Sequence, residues 1–297
     1  MTSTPPIALS DAPPRGWQTT GLLAARRRLR DRLATGLSWA ATALVLVILA
    51  SILLSLLLKG LPGLTPGALF RSSAPPGAHG GLANAIVGSL EQTGLALLIG
   101  TPLGLLGGIF LAEYGQESRF STLVRFVSDM LLSAPSILIG LFVYLVIVAP
   151  QGHFSGFAGA IALAILAMPI IVRTTEDMLR LVPVSMREAG MALGAPRWRV
   201  IVFLCLRAAR GGVLTGILLA LARVAGETAP LLFTSLGNMT WSLNLNAPMA
   251  SLPVAIYQYA GSAYDDWVQL AWTAALLITA GVLLINILVR FGFRRGT

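Results

Sequence analysis

The sequence predicts an all-α polytopic membrane protein with six transmembrane helices, and three observations carry that prediction. Of its 297 residues, 56% are apolar and only 11% charged, with a mean hydropathy of +0.79, far from an average soluble domain. The apolar residues fall in runs of roughly 20, the length at which a helix matches the hydrocarbon layer of about 30 Å. The formal charge of +9 gathers where those runs end: Arg26, Arg27, Arg28, Arg30 and Arg32 precede the first, and Arg290, Arg294 and Arg295 follow the last. That is the placement of the positive-inside rule. A nucleic-acid surface would instead need a basic face, so the excess reads as topogenic.

Six spans follow, over 37–58, 84–112, 125–149, 156–174, 208–232 and 267–290. The first is too long for a signal-peptide core and lacks a small-residue cleavage site, which makes it a retained anchor. Residues 1–36 form a tail before it, and residues 1–20, rich in Pro, Ser and Thr, have too little apolar content to fold. Residues 37–83 then hold the first span with its outer loop, 84–292 a transmembrane domain, and 293–297 a second tail. An even number of spans puts both termini on one side, and their arginines assign it to the cytoplasm. Residues 60–83, 150–155 and 234–266 are then outside, and the charged loop 173–210 is inside.

The second span contains Gly94, Gly100, Gly104, Gly107 and Gly108, small residues that let helix backbones approach closely in lipid. Ser133, Pro135 and Ser136 near the start of the third predict a kink. The aromatic residues Trp241, Tyr257, Tyr259 and Tyr264 in the outer loop 234–266, with Trp267 at its edge, fit an interfacial belt or a docking surface. Cys205, the single cysteine, reads as a small buried apolar residue.

The strongest chemical signal is Arg223 in the fifth span. A helix starting near Gly211 carries it about 18 Å along the axis, near the bilayer middle. An ionised group there is costly and must face a partner or a wet cavity. Glu227, at i+4, can be that partner. A purely stabilising ion pair is the competing reading. Arg173 and Glu176 form a second i, i+3 pair at the cytoplasmic end of the fourth span, where an arginine can also simply snorkel to headgroups. Asp177 and Arg180 are placed in the aqueous part, without a special role. Residues 185–196 form a short cytoplasmic helix with Met186, Ala189, Ala192 and Leu193 on one face and Arg187 and Glu188 facing away, ended by Gly194 and Pro196. Such a rigid knob can press into a groove on another protein or lie on lipid.

Several chemistries are excluded. A P-loop needs G-x-x-x-x-G-K-[ST], and the only lysine is Lys59, in the first outer loop. The two histidines, His79 and His153, lie in outer loops away from the cysteine, which does not suggest a zinc site. Neither G-x-S-x-G nor H-E-x-x-H occurs, so nothing points to a hydrolase.

Glu188-Ala189-Gly190 with Gly194 resembles the EAA loop of ABC-importer permeases, E-A-A followed by G and, further on, I-x-L-P. Leu204, Leu206 and Arg207 take the I, L and P places, so the departures are Gly190 for the second Ala and Arg207 for Pro. The runs 84–115, 133–144, 172–198 (VRTTEDMLRLVPVSMREAGMALGAPRW) and 222–238 (ARVAGETAPLLFTSLGN) narrow the resemblance to the second permease subunit of phosphate-specific ABC importers. That resemblance implies a type I, MetI-like transmembrane domain in the inner membrane, paired with a homologous permease subunit. It also implies two ATP-binding subunits that carry ATP-Mg, an external phosphate-binding protein, and no cofactor or metal on this chain. Glu188, Ala189, Gly190 and Gly194 would then seat on the ATPase, and Arg173, Glu176, Arg223 and Glu227 would serve phosphate passage. The physics agrees. A guanidinium contacts phosphate oxygens in a bidentate way, and a neighbouring glutamate keeps binding weak enough for release. Two rivals stand beside this: an ABC permease for sulfate, phosphonate or amino acids, and an ATP-independent channel or carrier, whose paired repeats are not seen.

Overall fold

The computed structural model describes residues 21–115 and 118–294, so of the tails expected at 1–36 and 293–297, residues 1–20 and 295–297 lie outside the described residues. The chain divides into two units, Met1–Ser55 and Leu56–Thr297. The first holds most of helix α1 (Gly21–Gly60), which begins well before the apolar run. The arginine-rich stretch 26–32 is therefore helical and not a tail. Its large apolar side chains, from Leu37 to Leu54, are exposed, as a lipid-facing helix requires.

The second unit continues through a turn at Leu61–Gly63 to α2 (Pro66–Phe70) and α3 (Ala83–Ile109), which carries on as a π-helix through Phe110–Tyr114. Then come α4 (Arg119–Ser133), α5 (Ser136–Val143), a π segment Tyr144–Val148, α6 (Ala149–Gln151), α7 (Gly156–Arg180) and α8 (Val184–Ala192). The chain ends with α9 (Arg197–Arg199), a π segment Val200–Cys205, α10 (Leu206–Val224), α11 (Ala229–Thr234), α12 (Leu252–Ala260) and α13 (Asp265–Arg294). Among the described residues, five helices are long and apolar enough to span, and six if α4 with α5–α6 counts as one span bent by 106°.

That bend is the kink expected in the third span, 125–149, which starts earlier, at Arg119. Proline cannot donate to the helical ladder and pushes the preceding residue out of the helical region. Ala134 duly takes extended backbone, φ −66° and ψ 139°, and α5 restarts in a new direction after Pro135. The fifth span differs too. It runs back to Arg197 and stops at Val224 instead of continuing to 232, because Pro230 lacks the N–H that would bond Gly226 and its ring would strike that carbonyl. The fourth runs on to Arg180.

The core is built around α7, the most buried of the spans. Helix α3 lies parallel to it, with Gly100, Gly104 and Gly108 forming a ridge at helical spacing. A Cβ added at Gly104 would lie 2.8 Å from Ile171 Cβ, and one at Gly108 2.5 Å from Thr175 Cβ, so only glycine permits this approach. Helix α10 runs antiparallel to α7, with Gly212 against Met178 and Gly216 against Thr174. Leu163, Ala167 and Ile171 of α7 pack with Ala96, Ala220, Val224 and Leu231 in one cluster. The loop expected over 234–266 folds in part as α12, which packs on α13, with Tyr259 and Trp267 rings 4.6 Å apart. Cys205 is buried and free, among Val200, Ala209 and Val213.

Candidate functional site

Arg223 is the penultimate residue of α10, where the helix ends at the break 225–228. The negative end of the helix dipole favours a cation there. The antiparallel register of α10 on α7 puts Arg223 level with Ala167, about 17 Å from the first residue of α7 and so roughly half a hydrocarbon thickness deep. The helix starts at Arg197 and not near Gly211, so the distance expected from its own first residue does not hold and the depth follows from α7 instead. Its Nε lies 3.6 Å from Glu227 Oε1, with the arginine side chain 43% and the glutamate 16% exposed. The i+4 pair expected from sequence is formed, across the end of the helix. Irregular backbone at membrane depth is tolerated only when buried in protein or lining a wet cavity, and here it carries Glu227, with Arg223 in the last turn of the helix before it.

Arg173 and Glu176 are not paired with each other, which corrects the expected i, i+3 contact. Arg173 Nε faces Asp177 Oδ2 at 3.5 Å with both side chains about half exposed. Glu176, only 1% exposed, accepts from Arg125 Nε of α4 at 2.8 Å and forms an ion pair with Arg180 Nη2 at 2.6 Å. Asp177 and Arg180, to which sequence assigned no special role, are thus the partners. Arg125 also donates through Nη2 to Leu111 O at 3.2 Å. The same register sets Arg173 about 9 Å along the helix axis from Arg223.

The cytoplasmic helix expected over 185–196 is α8. Its end is a Schellman cap: Gly194, at φ +78°, and Ala195 donate to the carbonyls of Met191 and Gly190, a conformation that favours glycine. Gly190 is buried, and a Cβ there would lie 3.1 Å from Val200 Cγ2 and 3.2 Å from Leu204 Cδ1. That accounts for glycine in place of the second alanine. Arg207, in the proline place, lies inside the unbroken helix from Arg197 to Val224. Glu188, Ala189, Met186 and Leu193 are exposed, the last by 88%. The apolar face is therefore presented outward and not packed.

Arg187 turns inward, contrary to the expected outward face. Its Nη2 donates to Glu113 Oε1 at 2.7 Å and its Nε to both carboxylate oxygens at 3.2 Å. This hydrogen bond raises the Arg187 pKa above the ordinary arginine value, against the opposing effect of burial. Sequence reasoning missed Glu113 and Arg125. The available signals were an acid at the end of an apolar run and an arginine inside one.

The family described as binding-protein-dependent transport system inner membrane component matches residues 104–295. The chain belongs to this family. Within it, the chain is 53% identical over 268 residues to the phosphate transport system permease protein PstA of Haemophilus influenzae, covering 90% of this chain and 95% of that one. It is 54% identical over 271 residues to PstA of Yersinia pestis, covering 91% and 92%. It is 37% identical over 280 residues to PstA 1 of Mycobacterium tuberculosis strain H37Rv, covering 91% and 90%. The fold is that of ABC-transporter membrane subunits. A chain of the MetNI methionine ABC transporter, in an inward-facing conformation, superposes with a TM-score of 0.61 at 20% identity, covering 73% of this chain and 96% of that one. An amino acid ABC transporter chain gives 0.55 at 16% identity, covering 72% and 92%. This inner membrane component is thus an all-helical, multi-pass transport protein, as its composition predicts.

Proposed function

We propose that this chain is a permease subunit of an ATP-driven phosphate importer and lines the translocation pathway together with a homologous permease subunit. The observation that carries the proposal is Arg223, a half-exposed guanidinium beside Glu227 at a helix break level with the middle of α7. A doubly charged anion crossing a low-dielectric layer needs such a fixed positive charge, and guanidinium matches its oxygens. Arg173 supplies a second positive charge further along. Glu227 and Glu176 temper the positive field so that phosphate is released as well as admitted, Glu176 from behind, through its arginines. The three phosphate-transport relatives support the choice of solute.

In this proposal both termini are cytoplasmic, and phosphate arrives from an external binding protein. ATP-Mg is bound and hydrolysed at two cytoplasmic ATP-binding subunits, and this chain holds no cofactor of its own. Helix α8, with Glu188, Ala189, Gly190 and Gly194, seats on one of those subunits and moves with it as a rigid body. The test is uptake of radiolabelled phosphate into liposomes that contain the complete complex, external binding protein and enclosed ATP. ATP-dependent uptake that excess sulfate, phosphonate or amino acid leaves unchanged is expected. Competition by one of these would reassign the solute, and uptake by this chain alone without ATP would replace the importer with a channel or carrier.

A further inference from the structure

We infer that Glu113 is the positioning residue that makes α8 and α3 move as one body, a role that rests on the transport reading above. Glu113 is 5% exposed at the end of α3's π segment, and a buried carboxylate is tolerated only when paired and hydrogen-bonded. Arg187 of α8 supplies that pairing. It spends further donors on Leu179 O at 2.7 Å, near the C-terminal end of α7, and on Val182 O at 2.5 Å, just past that end. There the last helical carbonyls lack i+4 donors, and Leu179 O accepts in addition from Val182 N, at 3.1 Å. One guanidinium therefore pins α8 to both α3 and α7.

From the other end of the α8 loop, Arg197 Nη2 donates to the carbonyl of Glu113 itself, and its guanidinium lies 4.8 Å over the Tyr114 ring. Two arginines, one on α8 and one just beyond it, thus converge on one acidic residue. A push on the exposed face of α8 at Met186, Met191 and Leu193 passes through Arg187 to Glu113. From there it reaches the glycine ridge of α3 interlocked with α7, the helix that carries Arg173. Close-packed contacts of this kind transmit displacement because they are hard to deform.

The test uses the complete complex in liposomes with Glu113→Gln, Arg187→Gln or both, measuring phosphate uptake and ATP hydrolysis in the same vesicles. The expected result is sustained hydrolysis with the ATP consumed per phosphate rising at least about fivefold, the low end of a typical coupling. The double substitution should be no worse than either single one. An unchanged ratio, including a parallel fall of both activities, overturns the inference and leaves a purely structural contact. Failure of the unsubstituted complex to take up phosphate sinks the transport reading instead. Should the variants not assemble, spin labels in place of the exposed Leu106 and Leu193 decide the matter, with the single native thiol, Cys205, buried. A constant separation through the ATP cycle is expected, and a change approaching one helical turn, about 5 Å, overturns the inference.

Discussion

The ion pairs Arg173–Asp177, Glu176–Arg180 and Arg223–Glu227 are all i, i+4 contacts, the spacing that brings side chains together on a helix. Their burial separates their roles. Arg173 and Arg223 keep exposed guanidinium groups that an anion can reach, whereas Glu176 is sealed between Arg125 and Arg180. Arg173→Gln should slow initial phosphate uptake about tenfold, the worth of one charged hydrogen bond, with assembly intact. A rate within about twofold would make Arg173 a headgroup contact. Glu176→Gln should instead cost about 1–2 kcal/mol of stability, because it removes the charge from a buried carboxylate that holds two arginines, the effect being reduced by the solvent that reaches Arg125 and Arg180; the measurement is thermal unfolding in detergent, and an unchanged midpoint would contradict it. The Arg187 pKa is raised, so the stabilisation it gives is fully present below the ordinary arginine value and is lost only as pH rises beyond it. Its contact with Glu113 therefore makes no pH dependence near neutrality through the arginine. Arg223 and Glu227 were legible in the sequence, since a charge deep in an apolar run has few places to go. The partners of Glu176 were not, because spacing within one helix leaves i−3 and i+4 equally open and says nothing of an arginine from α4.

Helices were legible as apolar runs, but their breaks were not fully so. Pro135 predicts a kink but not its size, which is 106°. Pro230 lies after the charged pair, and only the structure shows that the chain leaves the helix before it. The glycines of α3 read as a packing ridge from composition, and the ridge meets α7. Gly108→Leu should be among the most damaging changes in that ridge. Its Cβ alone would overlap Thr175, and overpacking costs about 1–3 kcal/mol or more, seen as a lowered unfolding temperature. Gly194→Ile belongs to α8. A β-branched side chain at φ +78° is penalised by at least about 1–2 kcal/mol. The cap should therefore be lost and ATP hydrolysis should uncouple from phosphate uptake; normal coupling would count against α8 as the docking helix.

At the scale of the molecule, the second unit gathers its tight packing around α7 and leaves two kinds of exposed surface. Apolar side chains along α3, α5 and α13 are open, as faces turned to lipid or to a second permease subunit would be. The outward face of α8 offers Met186, Met191 and Leu193 beside Glu188 and suits a protein partner. The family and the six-span composition were legible from the sequence because lipid allows so few solutions for the backbone. The most direct measurement is phosphate uptake and ATP hydrolysis by the complete reconstituted complex bearing Arg223→Gln. Uptake should fall at least about tenfold while the subunits still co-purify and hydrolyse ATP, whereas uptake within about twofold of the unsubstituted complex would contradict a path for phosphate past that guanidinium.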